Sequence, residues 1–326
     1  MRANKEKSIL PISIALVLGA VAAMLLAAGC SNDLPVASSL ERTRVLGARV
    51  EVAADPGRAE VAPGETASVT WIVAGPSAPA TLDWAFALCT TGGADCADTP
   101  QVIGAGSGTP VTVGFTTPDA AALGTNLLPL MLGVVCADGT VGVDPNSPLP
   151  TCTGPGASGT PVRFTVPVVP DGATPNRHPV FGNDVIELAG AAWDPATAAA
   201  APGDACDATS GLPVAAATAA GSAATKLEIR IVSDGDDRET FTPAGKPEQL
   251  EDLQFSNFTT AGKFESSYAA IFATDTRPDA DVTVKWEPPA GATVAGTGEV
   301  VVFHFVVRDL RGGLDVTSRA LCLLAP

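Results

Sequence analysis

The sequence predicts an all-β protein: two tandem β-sandwich domains behind an N-terminal export segment. Three observations carry that prediction. Short apolar runs alternate with period two, Gly, Pro and Asp punctuate the chain between them, and six cysteines remain once one near the N-terminus is set aside. Hydrophobic residues make up 46% of the chain, which argues against disorder, but aromatics are only 5%. The core must therefore be built from Val, Ile and Leu with a few Phe and Trp, a composition that suits short packed strands.

The export segment comes first. Arg2, Lys5 and Lys7 form a basic head, an apolar run extends from Ile9 to Ala28, and small residues precede Cys30. This order is that of a cleaved signal peptide. An uncleaved membrane span is the competing reading, because about 20 apolar residues cross a bilayer. A cysteine directly after Ala27-Ala28-Gly29 favours cleavage. The stretch Leu26-Ala-Ala-Gly-Cys30 resembles the lipobox of bacterial lipoproteins, departing from it at Ala27, where Leu is commoner. The resemblance implies removal of residues 1–29, lipid attachment (diacylglyceryl and palmitate) on Cys30, and a place in the cell envelope. Ser31 is not the aspartate that retains such proteins at the inner membrane, so the outer membrane is expected.

Charge narrows the partners. The whole chain carries −16, and removing Arg2, Lys5, Lys7 and Glu6 with the signal peptide makes it −18. A chain this acidic repels nucleic acid and anionic head groups, so no nucleic-acid role is expected and the lipid alone would hold it to a membrane. A protein or matrix partner stays open.

Residues 30–45 read as the lipidated cysteine and a tether. Domain 1 is expected over 46–170, with strands at Ala48–Ala53, Ala67–Val73, Leu82–Leu88, Val111–Phe115, Leu130–Val135 and Thr160–Val169. Ala137-Asp-Gly-Thr140 has the Asp-Gly pair of a tight hairpin. Pro170 to Pro179, with Pro175 between them, reads as a stiff spacer. Domain 2 is expected over 171–326, with strands at Val185–Leu188, Lys226–Val232, Val282–Trp286, Val300–Val307 and Leu314–Leu324. The Ala-rich stretch 196–224 is expected to be a loop, and Phe255, Phe258 and Phe264 to fill the core from less regular segments. The tandem pattern resembles bacterial immunoglobulin-like surface modules. Asn176-Arg-His-Pro179 and Arg308-Asp-Leu-Arg-Gly-Gly313 are similar to exported myxobacterial lipoproteins of unknown role. The resemblance implies architecture only, because it brings no catalytic motif and lacks the Cys–Trp–Cys arrangement of antibody domains.

In an oxidising compartment six cysteines read as disulfides. Proximity and the domain boundary pair Cys89 with Cys96, Cys136 with Cys152, and Cys206 with Cys322. Zinc is not expected, since no Cys-x-x-Cys is present and the histidines are only His178 and His304. Both histidines read as structural or solvent-facing rather than catalytic. No cofactor and no metal site is assigned, although Asp234, Asp236 and Asp237 cluster hard oxygens that suit calcium. Their spacing is not that of an EF-hand, and between strands such a stretch more often makes a solvated hairpin tip.

Two functions of different class follow. The first is a lipid-anchored surface protein with a non-catalytic binding, adhesion or spacer role. The second is an envelope hydrolase, glycosidase-like, using a carboxylate pair that no motif singles out.

Overall fold

The structure is a computed structural model, and it describes residues 37–77, 81–89, 101–124, 128–143, 149–170, 172–181, 186–233, 238–243, 246–291 and 297–326. The signal peptide, Cys30 and the Asp234, Asp236 and Asp237 group lie outside these residues. The fold is all-β, and Ala37–Pro326 form one compact unit. Among the described residues no helix is long and apolar enough to cross a membrane.

The first sandwich uses β1 (Arg44–Val52), β2 (Thr66–Ala74), β3 (Asp83–Cys89), β4 (Gln101–Ser107), β5 (Val111–Thr116), β6 (Leu130–Val143) and β7 (Pro150–Thr165). A helical turn, Ala120–Leu123, precedes β6 and is capped by Asp119, whose carboxylate accepts the Ala122 N–H. Sheet β1-β2-β5 faces sheet β4-β3-β6-β7. Their inner residues, including Val50, Val69, Val113, Met131 and Val135, form one apolar core. Trp71 of β2 stacks on Phe86 of β3 with ring centroids 4.9 Å apart, joining the two sheets at their centre. Strand β4 is not expected from the sequence, because Gln101-Val-Ile-Gly-Ala-Gly-Ser107 is Gly-rich and mostly exposed.

The second sandwich uses β8 (Ile186–Leu188), β9 (Ala191–Ala192), β10 (Val214–Ala216), β11 (Leu227–Val232), β12 (Thr240–Phe241), β13 (Gln249–Leu250), β14 (Leu253–Thr259), β15 (Lys263–Phe264), β16 (Tyr268–Ile271), β17 (Asp281–Glu287), β18 (Glu299–Arg308) and β19 (Leu314–Leu324). Sheet β10-β19-β18-β14-β16 faces sheet β15-β17-β11-β8-β9, and β12 pairs with β13 in a separate ribbon. Trp193, Ile229, Phe255, Phe264, Trp286, Phe303 and Phe305 fill the space between the two large sheets. Trp286 meets Phe303 edge-on at 5.1 Å.

Several expectations are corrected. The chain does not turn at Ala137-Asp-Gly-Thr140. Strands β6 and β7 pair on past it, and Asp138-Gly139 lies at a register shift inside the ladder. Gly139 has φ of +99°, and a Cβ there would stand 2.5 Å from the Thr153 carbonyl oxygen. The positive φ that Asp-Gly supplies is spent on a bulge, not a hairpin tip. Cys136 and Cys152 are bonded across this irregular stretch, 5.7 Å apart at Cα.

The Ala-rich stretch is not simply a loop. It opens with a 3₁₀ turn, Pro195–Ala199, capped by Asp194, and contains β10, which runs parallel to β19. Ala215 and Ala217 enter the second core, where their small side chains let the segment lie flat on the sheet. Cys206 of this stretch is bonded to Cys322 of β19. Phe255 belongs to the regular strand β14, whose inner face alternates cleanly. Phe258 points the other way, out of that core and into an apolar cluster with Leu40, Leu46, Ala74, Val306 and Leu314.

The described part of the predicted tether is not free either. Ser38 and Leu40 are fully buried. The Leu40 N–H donates to the Thr259 carbonyl at 2.9 Å and the Thr259 N–H to the Ser38 carbonyl at 2.9 Å. Cys89 is also disulfide-bonded, and Cys96, the partner expected for it, lies outside the described residues.

Two stability outcomes follow. Leu40→Ala should lower the unfolding free energy by about 2–4 kcal/mol, the range for truncating a buried leucine, measured by urea denaturation; a free tether would show no change. Breaking Cys206–Cys322, which closes 116 residues, should cost about 5 kcal/mol. Breaking Cys136–Cys152, which closes 16, should cost about 3 in the chain-entropy account. Cys→Ser pairs compared under the same conditions check the order.

Candidate functional site

A group of buried polar side chains that includes Asn176, His178 and Asp309 lies where the two sandwiches meet. The sequence around residues 170–179 favours extended backbone, because each proline biases the residue before it away from helix. An extended segment with unpaired backbone groups needs partners, and here it finds them on both sides. The Ala59 N–H donates to the Asn176 carbonyl and the His178 N–H to the Gly57 carbonyl, both at 2.9 Å. The Asn176 N–H donates to Glu60 Oε2 at 2.7 Å. The predicted spacer is therefore a wedge held between the sandwiches. Apart from isolated bridges, no described strand pairs across residue 170.

His178 is the centre of this wedge and only 6% exposed. Its Nδ1 accepts the Leu314 N–H of β19 at 3.0 Å. Its Nε2 lies 2.5 Å from the Val50 carbonyl oxygen of β1. A nitrogen that accepts from an amide carries no proton, so Nε2 holds the ring proton and donates to Val50. Burial, followed by the Arg49 guanidinium, holds the ring below the usual histidine range. Arg49 itself donates to the Leu314 carbonyl and to Asp315 Oδ1, each at 2.9 Å.

A carboxylate group lies beside the wedge. Asp309, 2% exposed, accepts the Asn176 amide on Oδ2 at 2.7 Å. Its Oδ1 accepts the Arg311 N–H at 2.7 Å and the Gly313 N–H at 2.8 Å. Gly313 cannot be larger, because a Cβ would meet Asp309 Oδ2 at 2.0 Å and the Arg177 carbonyl at 2.8 Å. Glu251, 1% exposed, receives the Arg311 guanidinium and, at 3.2 Å, the Glu239 N–H. Desolvation, with the Asp309 charge adding to it, pushes the Glu251 carboxyl up to about 7. Arg311 also lies over the Phe241 ring at 4.3 Å. Arg238 is buried and donates to the Glu251 carbonyl at 3.0 and 2.9 Å, closing the base of the β12–β13 ribbon, and to the Phe272 carbonyl, just past β16, at 2.9 Å.

The most perturbed carboxyl does not face open space. A cleft of about 660 Å³ opens nearby, lined among others by Glu60, Thr174, Glu239, Phe241, Glu248 and Arg311, but by neither Glu251 nor Asp309. Of the carboxylates that line the cleft, Glu60 accepts the Asn176 N–H at 2.7 Å and Glu239 the Arg177 N–H at 3.1 Å. Among the described residues no three His, Cys, Asp or Glu side chains are grouped to hold a metal ion.

The other histidine sits elsewhere. His304 of β18 lies on the outer sheet face, its Nδ1 2.8 Å from Ser318 Oγ of β19. Its position with Val302 and Val306 is as expected, but that face is covered. Val302 packs with Cys206 and Cys322, and Val306 with Leu40 and Leu46. Burial lowers its ring to about 4. The structure does not bring the two histidines into one site. Sequence reading missed Asn176, Glu251 and Asp309, although Asn176 and Asp309 fall in the two stretches, 176–179 and 308–313, singled out there by resemblance.

The Glu251 environment predicts a pH effect of definite sign. Its folded value lies above the unfolded one, so its contribution is present below about 4.5 and is lost as pH rises through 7. Glu251→Gln should therefore leave stability near pH 5 within about 1 kcal/mol of wild type and raise it at pH 8 by about 2–3 kcal/mol. Urea midpoints at the two pH values check this, and equal effects at both would refute it.

Comparisons with known proteins assign no family: no family model matches the chain, and no curated protein matches it.

Proposed function

We propose that this chain is a lipid-anchored protein of the cell envelope whose fused sandwiches have a non-catalytic binding, adhesion or spacer role. One observation carries the non-catalytic part. Glu251, whose carboxyl is pushed up to about 7, is tied to Arg311 and to the Glu239 N–H and does not line the cleft of about 660 Å³. Reading both sandwiches as immunoglobulin-like is supported by the strand order. Sheets β1-β2-β5 and β4-β3-β6-β7 have the layout of a seven-stranded module, and β10 running parallel beside β19 extends the same plan in the second.

The anchor reading rests on the residues before Cys30. If lipid is attached there, Ala37 stands seven positions later, and an extended chain of that length spans at most about 25 Å. With Ser38 and Leu40 buried, the sandwiches would be held close to the outer membrane on a short leash. A compact body so placed suits presentation of its loops to a protein or matrix partner.

Growth with a labelled fatty acid tests the anchor. The wild-type protein should take up label, and Cys30→Ala should not. Label on the variant, or none on the wild type, would remove the anchor from the proposal. Pull-down of the full chain from envelope extracts and assay against cell-wall and glycoside substrates test the rest. Turnover abolished by a carboxylate variant in the 660 Å³ cleft would replace the binding role with the hydrolase one.

A further inference from the structure

We propose that His178 is an acid-sensitive latch between the two sandwiches: protonation of its ring cancels the acceptor for the Leu314 N–H and loosens the junction. The argument rests first on geometry. Among the described residues of the wedge, the imidazole is the side chain that bonds the backbone of both flanking strands, β1 through the Val50 carbonyl and β19 through the Leu314 N–H. Only a neutral ring with the proton on Nε2 can make both bonds. A second proton on Nδ1 would set N–H against N–H at 3.0 Å in a buried site, so one bond must break.

The charges facing the ring come from three elements. Arg49 of β1 opposes protonation, whereas Asp309, after β18, and Asp315 of β19 favour it. The two aspartates are already occupied, Asp309 by Asn176 and by the Arg311 and Gly313 amides, and Asp315 by Arg49 and by the Phe181 N–H at 2.9 Å. Neither is a free counter-ion for an imidazolium. Arg177, the neighbour in sequence, is turned away to Asp55 at 2.9 Å.

The direction follows by linkage. A ring held below 6.5 in the folded state contributes stability that is present above 6.5 and is lost as pH falls through the folded value. In that window the opening constant of the junction rises by up to about tenfold per pH unit. Global stability is a poor readout, because Glu251 titrates in the opposite sense and His304 titrates lower, within the second sandwich.

The local amide reports the latch directly. Hydrogen exchange on the full chain between pH 7.5 and 4.5 should show the protection factor of the Leu314 N–H falling below pH 6.5, by up to about tenfold per unit. That of the Phe305 N–H, inside β18, should not follow it. In His178→Gln, which does not titrate, the Leu314 slope should vanish. A Leu314 slope that is absent, that matches Phe305, or that persists in H178Q overturns the latch. If H178Q does not fold, nitrogen-15 shifts of the wild-type imidazole decide: the latch requires an unprotonated Nδ1 at pH 7.5, and a proton there overturns it.

Discussion

The constraint on which the rest of the structure depends is that the sheet containing β18 and β19 must be covered on both faces. Val301, Phe303, Phe305 and Val307 face the second core, but Val300, Val302 and Val306 on the opposite side are just as buried. An apolar face of that kind left in water would forfeit roughly 2 kcal/mol for each large aliphatic side chain. The chain supplies two covers. At one end the Ala-rich segment, pinned by Cys206–Cys322, lies over Val300, Val302 and Ala320. At the other end Leu40, Leu46 and Ala74 lie with Val306 and Leu314.

The second cover explains why the two sandwiches form one unit. Strand β1 changes register between Val45 and Gly47. Val45 and Ala48 therefore both face the first core, while Leu46 is turned out to the second sandwich. A bulge re-aims one side chain without disturbing the rest of the strand. The Arg308 guanidinium then reaches the Leu46 carbonyl, and the His178 ring and Arg49 complete the polar part of the same contact. Apolar burial gives the junction its area, and the directional bonds of His178, Asn176 and Asp309 define its geometry. The result is one compact unit where two domains joined by a stiff spacer were expected.

Much of the fold was legible. Alternation with period two located β1, β2, β3, β5, β11 and β17 because each of these buries a face in a core, and that burial writes the pattern into the chain, whereas β18 was legible as an apolar run. Strand β4 left no such trace, since Gly104 and Gly106 contribute no side chain to alternate. The Asp-Gly pair at 138–139 marked positive φ correctly but not its use, because hairpins and bulges make the same local demand. The doubly covered face was also hidden: Val300–Val307 reads as a continuous apolar run whether its outer side meets water or protein.

By itself the sequence determined the all-β class and most strand positions. These depend on local periodicity and on short linear signals. Only the tertiary structure decided that residues 172–179 form a wedge and not a spacer, and that residues 38–46 belong to the body. It also decided that Asn176, Glu251 and Asp309 lie together. Those outcomes depend on contacts between residues more than a hundred positions apart, such as His178 with Leu314 and Asn176 with Asp309. A polar residue in a proline-rich stretch carries the same local signature whether it is solvated or buried against a partner from the far end of the chain. Packing chooses between them, because a buried polar group is tolerated only where its hydrogen bonds are met.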